Sequence, residues 1–183
     1  MTLTQAVPPG PAAFGAAQLE RAPLSPAQLA RAPLGPAELR RLVSAIAATP
    51  HRWRPVVRFG QEQRWYGRLD LTEEYEIWLL SWLPGQETGF HDHGEANGAI
   101  AVAEGEVRER TAAPGRPGTA RRLLRSGQAR AFGRSHIHDV SNVSAGPAVT
   151  VHAYSPPLTA MRRYQLAGSG LVLAGTDVAG RSW

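Results

Sequence analysis

The sequence GQETGFHDHGEANGAIAVAEG, residues 85–105, contains the pattern Gly-x5-His-x-His-x4-Gly-x6-Gly. Its two histidines, His91 and His93, are two positions apart, so on a β-strand both imidazoles point to the same face. Two imidazoles on one face can bind the same metal ion. The glycines between and beside them are typical of the turns that separate strands. The stretch therefore predicts β-structure that carries a metal site.

The other histidines are also clustered. The chain has six, and besides His91 and His93 three more fall into two short segments: His136, His138 and His152. There is no cysteine, which excludes disulfides, thiolate metal ligands and cysteine nucleophiles. Any metal must therefore bind nitrogen or oxygen.

Length and composition indicate one domain with a sizeable core, because the chain has 183 residues, 43% of them hydrophobic. The net charge is +5, but all 20 basic residues are arginines spread along the chain. That distribution favours a solvated basic surface over a nucleic-acid interface. We find no signal-peptide pattern and no long apolar stretch. We therefore expect a cytoplasmic monomer that binds neither nucleic acid nor membrane.

The N-terminal region differs in composition from the rest. Residues 1–20 are rich in proline, glycine and alanine, which predicts a flexible tail. Residues 21–50 begin with a ten-residue repeat, RAPLSPAQLA followed by RAPLGPAELR. Each copy places Ser25 or Gly35 at a helix cap and a proline at the first helical position. Two short helices are therefore predicted, the second ending near Pro50.

Residues 51–183 change to short β runs separated by glycine and proline turns, with a C-terminal extension. This pattern is typical of a β-sandwich or barrel. The predicted strands cover residues 56–59, 64–70, 75–82, 98–108, 121–124, 129–132, 136–142 and 148–154, and the region after Met161 could add one or two more.

The motif at residues 85–105 resembles the first motif of the cupin barrels, in which the histidines face the barrel interior. The fold that this implies is all-β, a jelly-roll-like cupin β-barrel with short N-terminal helices. Cupins commonly have a glutamate ligand where Gly98 stands, so a metal would bind neutral histidines only. The second cupin motif does not decide which histidine is the third metal ligand, because both His136 and His138 fit it.

The sequence HDVSNVS at 138–144 and TVHAYSPPL at 150–158 resemble the cysteine dioxygenase family of thiol dioxygenases. The resemblance implies that His138 is the third ligand of Fe²⁺, with His91 and His93, and that His136 is a neighbour. It also implies that L-cysteine and O₂ are converted to cysteine sulfinic acid. Three histidines leave three sites open on Fe²⁺, enough for a thiolate, an amine and O₂.

Further residues match the same family. Tyr66-Gly-Arg68 resembles the segment whose arginine binds the substrate carboxylate, and Tyr66 lies on the same strand face. Thr150, His152 and Tyr154 alternate on one strand, which predicts a hydroxyl, imidazole and phenol chain with a catalytic role. The bond before Pro156 matches a family position with a cis peptide.

Two positions bear on the substrate. In animal relatives a cysteine cross-linked to the active-site tyrosine stands at Gly98, so Tyr154 is expected to be an unmodified phenol. Relatives that oxidise 3-mercaptopropionate tend to have arginine at Met161 and glutamine at Arg68, so both residues favour cysteine. The alternatives are another small thiol, such as 3-mercaptopropionate, and a metal-binding cupin that acts as a sensor without turnover.

Overall fold

The computed structural model describes residues 32–116, 118–168 and 170–180. The predicted tail at 1–20 and the first predicted helix lie outside these residues. Within them the chain forms one α-helix, one short 3₁₀-helix and eleven strands. The helix α1 spans Pro36–Ala47, the 3₁₀-helix Pro50–Arg52, and the strands are β1 (Tyr66–Leu71), β2 (Glu76–Trp82), β3 (Phe90–His91), β4 (Asn97–Glu104), β5 (Glu106–Ala112), β6 (Ala120–Arg125), β7 (Ala129–Phe132), β8 (Ile137–Ser141), β9 (Ala148–Ser155), β10 (Ala160–Ala167) and β11 (Gly170–Val178).

The strands form two antiparallel sheets with the jelly-roll arrangement that the sequence predicted. One sheet has the order β1-β2-β9-β4-β7 and the other the order β11-β10-β3-β8-β5-β6. Apolar side chains from both sheets, among them Ile100, Val107 and Val140, form one buried cluster. The described strands form two separate sheets rather than one continuous hydrogen-bonded barrel. The all-β cupin prediction is confirmed in this form.

The helix α1 covers the outer face of the first sheet. Its buried residues Leu39, Val43 and Ile46 share an apolar cluster with Val151 of β9. Burying an aliphatic side chain contributes about 1.5–3 kcal/mol, so this stripe holds the helix in place. Because α1 covers one face of β9 and the second sheet covers the other, every residue of that strand is buried.

The start and end of α1 follow from local chemistry. Pro36 occupies the first helical position, and the Glu38 carboxylate accepts a hydrogen bond of 2.8 Å from the backbone N–H of Gly35. The helix ends at Ala47, shortly before Pro50. Among the described helices, none has the length and apolar character needed to span a bilayer.

The strand predictions differ from the structure in three places. Residues 56–59 are not a strand. The predicted strand at 98–108 is divided at Gly105, which has φ 73°, and a Cβ there would lie 2.5 Å from a backbone oxygen. Only glycine avoids both problems, so the chain turns there. The two-residue strand β3 was too short to be recognised by periodicity.

Candidate metal centre and substrate cavity

Three histidines meet between the two sheets. His91 of β3 is the direct cross-strand partner of His138 of β8, and His93 follows His91 by two residues. All three are buried, and a ring nitrogen from each lies within 4.8 Å of one from the others. The structure therefore brings the predicted ligands together. It places His136 outside this group, in a second cluster with His138 and Glu109.

The unpaired nitrogens of this group fit a metal ion. Both ring nitrogens of His93 and Nε2 of His138 are buried and have no hydrogen-bond partner among the described residues. A buried polar atom without a partner costs about 1–3 kcal/mol, so such atoms need an explanation. His91 donates from Nδ1 to the carbonyl of Gly89 at 3.0 Å, which leaves its Nε2 lone pair free. Three imidazoles are suitable ligands for Fe²⁺ or another transition metal.

Burial also sets the protonation of these rings. It lowers the pKa of His91 and His93 well below 6.5, and the neighbouring histidines lower both further. Burial also lowers the pKa of His138, although hydrogen bonding to Glu109 acts in the opposite direction. The three rings are therefore neutral at neutral pH, the form in which imidazole binds metals.

The packing around Gly98 leaves no room for a carboxylate side chain at this position. Gly98 pairs with Phe132 of β7, and a Cβ at Gly98 would lie 2.2 Å from the Phe132 ring. That ring stacks on His93 with centroids 5.0 Å apart. The aromatic ring therefore occupies the space that a larger residue at position 98 would need.

Glu109 of β5 lies behind His138 and was not predicted. Its Oε1 accepts hydrogen bonds of 2.9 Å from Nδ1 of His138 and from Nε2 of His136, and its Oε2 pairs with Arg130. Burial alone would raise the pKa of Glu109, but these partners hold it well below its usual range. The sequence signal was a glutamate on the same face of β5 as the buried Val107.

A cavity of about 100 Å³ adjoins His91. Its walls include two cationic side chains, those of Arg64 and Arg163, and no acidic side chain among the described residues. The complete lining is Arg64, Tyr66, Trp78, Leu80, Thr88, His91, Val140, His152, Tyr154, Leu158, Met161 and Arg163. Its size and charge suit a small anionic molecule next to the histidine group.

The predicted row Thr150, His152 and Tyr154 forms a hydrogen-bonded chain, and Trp82 extends it. The Trp82 indole donates to Thr150 Oγ1 at 2.9 Å. Thr150 is 2.9 Å from His152 Nε2, and His152 Nδ1 is 3.2 Å from the Tyr154 hydroxyl. Burial lowers the pKa of His152 to about 3 and raises the pKa of Tyr154, so both are neutral at neutral pH.

The indole of Trp82 can only donate, so the Thr150 oxygen accepts its hydrogen bond. The Thr150 hydroxyl has a second lone pair, so it can either donate to Nε2 of His152 or accept from it. When Thr150 donates, His152 carries its proton on Nδ1 and donates to the Tyr154 oxygen. In that arrangement the phenolic proton of Tyr154 is available to a molecule in the cavity. Trp82 was not among the predicted site residues.

Arg68, predicted to bind a substrate carboxylate, is not part of the cavity wall. Its guanidinium lies 5.4 Å from the ring centroid of Trp78 and 3.9 Å from the Glu76 carboxylate, and 47% of its side chain is exposed. It does share a face with Tyr66, as predicted, but it is paired opposite Trp78 and packs on that ring. Alternation alone could not show how far along the strand the cavity extends.

Arg64, two residues before Tyr66, lines the cavity instead. Its guanidinium lies over the Trp82 ring at 5.7 Å, and one NH₂ group donates to the Glu87 carbonyl at 3.3 Å. Its Nε is buried and has no hydrogen-bond partner among the described residues. Burial and the nearby Arg163 lower the pKa of Arg64. An anion in the cavity would meet an incompletely paired cation.

Residues 27–167 match the family described as cysteine dioxygenase type I. The chain belongs to the cysteine dioxygenase type I family. It is 26% identical to cysteine dioxygenase type 1 of Danio rerio over 138 residues, which cover 68% of this chain and 67% of that protein. The match to the Homo sapiens enzyme is also 26% identical and covers 63% of this chain and 62% of that protein.

Solved structures agree with the cupin fold. A Thermus thermophilus protein superposes with a TM-score of 0.51 and 26% identity, covering 57% of this chain and 93% of that one. A Klebsiella pneumoniae protein with a double-stranded β-helix domain has a TM-score of 0.50 and 19% identity, covering 67% and 93%. The second likeness concerns the fold alone. Family and fold together support a metal-binding cupin dioxygenase.

Proposed function

We propose that this protein is a thiol dioxygenase that uses Fe²⁺ to oxidise L-cysteine with O₂ to cysteine sulfinic acid. The observation that carries the proposal is the cavity beside His91, which combines a proposed metal ligand, the partly buried Arg64 and the Tyr154 phenol. Family membership supports the reaction class. The cavity supports the substrate class, a small thiol with a carboxylate.

The three neutral histidines His91, His93 and His138 would hold Fe²⁺. The chemistry that this ion supplies when bound is the activation of a thiol and O₂ at one centre. Both atoms of O₂ end on sulfur, and the oxidation of sulfur provides all four electrons that O₂ requires. The reaction therefore needs no further reductant.

Arg64 is the proposed carboxylate-binding residue, in place of Arg68. Its planar guanidinium can donate two parallel hydrogen bonds to a carboxylate, and its partial burial strengthens them. Arg163 adds positive charge on the same cavity, although Asp177 accepts a hydrogen bond of 2.6 Å from its Nε. Arg64 is the less neutralised of the two cations, so it would hold the carboxylate.

Tyr154 is the proposed hydrogen-bond donor to the reacting group, with Thr150 and His152 as positioning residues. Its raised pKa keeps the phenol protonated throughout the neutral range. This role requires the arrangement in which Thr150 donates to His152 and His152 donates to the Tyr154 oxygen, which leaves the phenolic proton for the reacting group. Tyr66, which packs edge-on to Trp78 with centroids 5.9 Å apart, would form the wall opposite.

The second candidate substrate is 3-mercaptopropionate. The two arginines of the cavity favour a carboxylate, and no acidic residue of the described lining would bind an ammonium group. Cysteine and 3-mercaptopropionate both carry the carboxylate that these arginines favour. Met161 contributes an apolar surface to the same wall. The amine of cysteine would therefore have to bind the metal to contribute affinity.

The test is metal analysis with product identification. The full chain is loaded anaerobically with Fe²⁺, and O₂ uptake is measured with cysteine, 3-mercaptopropionate and cysteamine, which lacks a carboxylate. We expect one iron per chain, fastest uptake with cysteine and a product 32 mass units heavier by mass spectrometry. Fastest uptake with 3-mercaptopropionate would identify that thiol, and not cysteine, as the substrate. Background uptake with every thiol in an iron-loaded sample would contradict an enzyme and favour a non-catalytic cupin sensor.

A further inference from the structure

We infer that Glu109 is a positioning residue that fixes which ring nitrogen of His138 faces the metal centre. The inference rests on the proposed metal site at His91, His93 and His138. It also assigns a purpose to Arg130 and His136, which hold the Glu109 carboxylate and do not line the substrate cavity.

The hydrogen bonds determine the tautomer of His138. An ionised carboxylate can only accept hydrogen bonds, and Glu109 Oε1 lies 2.9 Å from Nδ1 of His138. Nδ1 must therefore carry the proton of the neutral ring. Nε2 is then the lone-pair nitrogen, and it is the buried atom without a hydrogen-bond partner among the described residues. One contact thus leaves the correct atom free for a metal.

His138 differs in this respect from the other two proposed ligands. His91 donates to a neutral backbone carbonyl, that of Gly89, and neither ring nitrogen of His93 has a partner among the described residues. His138 donates to a charged group. A carboxylate behind a ligating imidazole fixes the ring orientation and makes the other nitrogen a stronger ligand. We therefore expect the hydrogen bond behind His138 to contribute more to metal affinity than the surroundings of His91 or His93.

The same cluster is not a second metal site. Glu109, His136 and His138 do lie close enough together to be considered as ligands. However, Arg130 already pairs with Oε2 of Glu109, and both histidines donate to Oε1. A divalent cation would have to displace these donors and lie beside a guanidinium. The geometry therefore points to a support for His138.

The support is rigid because its parts are buried and packed. Glu109 has no exposed surface, and His136 stacks on Phe132 with ring centroids 4.5 Å apart. Phe132 also contacts the edge of His138, with centroids 5.0 Å apart. An ionised carboxylate is stable in the interior only when all its partners are present. Replacing the Glu109 carboxylate with a neutral group should therefore weaken its hydrogen bond to His138.

The main experiment compares Glu109→Gln with Asp139→Asn. Asp139 is a matched control: it is a buried carboxylate next to His138, it pairs with Arg110 at 2.6 Å, and it lies on the opposite face of β8. Metal-free protein is titrated with Co²⁺. We expect Glu109→Gln to weaken binding by about 10- to 100-fold and Asp139→Asn by less than about 3-fold. Equal weakening in both variants, or none in Glu109→Gln, would overturn the inference.

A second measurement does not depend on whether Glu109→Gln folds. In metal-free wild-type protein labelled with ¹⁵N-histidine, two-bond correlations distinguish Nδ1–H from Nε2–H imidazole. The His138 signals are assigned by their loss in His138→Gln. We expect the Nδ1–H form, and the Nε2–H form would overturn the inference. Failure of the wild type to bind any metal would instead contradict the proposed function, and the tautomer result would stand separately.

Discussion

The guanidinium of Arg64 lies over the ring of Trp82, 5.7 Å from its centroid, and the indole N–H of Trp82 donates to Thr150. One buried side chain therefore contacts both the proposed carboxylate-binding residue and the hydrogen-bonded chain that ends at Tyr154. A cation over an indole is held by about 0.5–2 kcal/mol, most when water is excluded. The Trp82 ring therefore holds the proposed carboxylate-binding residue and the hydrogen-bonded chain in a fixed position relative to each other.

Replacement of Arg64 tests the carboxylate assignment. Arg64→Gln removes the charge-assisted hydrogen bonds, so we expect kcat/KM for cysteine to fall about 10- to 100-fold. Arg68→Gln is the control, because Arg68 is half-exposed outside the cavity, and it should change kcat/KM less than about 3-fold. Steady-state O₂ uptake measures both. A larger loss in Arg68→Gln would restore that residue as the substrate ligand.

The chain from Trp82 to Tyr154 can be interrupted at Thr150. Thr150→Val keeps the shape but leaves the indole N–H of Trp82 unpaired, at a cost of about 1–3 kcal/mol in the free energy of unfolding. We expect kcat to fall at least about 10-fold, with a smaller effect on KM. Thr150→Ser keeps the hydroxyl and should retain activity. If Thr150→Val turned over cysteine at the wild-type rate, no directed chain would be needed.

The third ligand is tested by a pair of alanine variants. His138→Ala should abolish tight iron binding, because two imidazoles remain, whereas His136→Ala should retain one iron per chain. Iron content after anaerobic loading and desalting measures this. Loss of iron in His136→Ala alone would assign the ligand to His136.

A side chain at Gly98 should be disruptive. A Cβ at this position would lie 2.2 Å from the Phe132 ring, so Gly98→Ala should destabilise the protein by about 1–3 kcal/mol through overpacking. Urea unfolding of the metal-free protein measures the change. The double variant Gly98→Ala with Phe132→Leu should recover part of the loss. An unchanged midpoint in Gly98→Ala would show that the ring moves freely.

The metal-free protein should lose stability as the pH falls below about 6.5. His152 has a folded pKa of about 3 against 6.5 for an ordinary histidine, so between these values only the unfolded chain is protonated. Each such histidine lowers stability by up to about 1.4 kcal/mol per pH unit as the pH falls. His91, His93 and His138 act in the same direction.

Urea unfolding at pH 7.5, 6.5, 5.5 and 4.5 measures this effect. His152→Gln removes one titrating group, so its loss of stability with acid should be shallower than that of the wild type. A wild-type midpoint independent of pH in this range would contradict neutral buried histidines.

Much of the site was visible in the sequence because it depends on alternation along single strands. His91 and His93 are two residues apart, and Thr150, His152 and Tyr154 alternate on β9. Any β-strand places such residues on one face. Short apolar runs and glycine turns predicted a β-sandwich or barrel, and the resemblance of residues 85–105 to the first cupin motif implied the cupin form.

The tertiary structure decided everything that depends on register between strands. Alternation allowed either Arg64 or Arg68 beside Tyr66, and the structure has Arg64 in the cavity lining and Arg68 packed on the Trp78 ring outside that lining. Alternation along the strand likewise allowed either His136 or His138 as the third ligand. The pairing of β8 with β3 brought His138 opposite His91.

Glu109 is a site residue that no local sequence pattern identified. It lies 29 positions from His138 in the chain, yet it accepts the hydrogen bond that fixes that ring. The sequence by itself determined which residues share a strand face. Only the tertiary structure determined which of them lie at the same depth between the sheets, because depth depends on pairing between segments that no local pattern records.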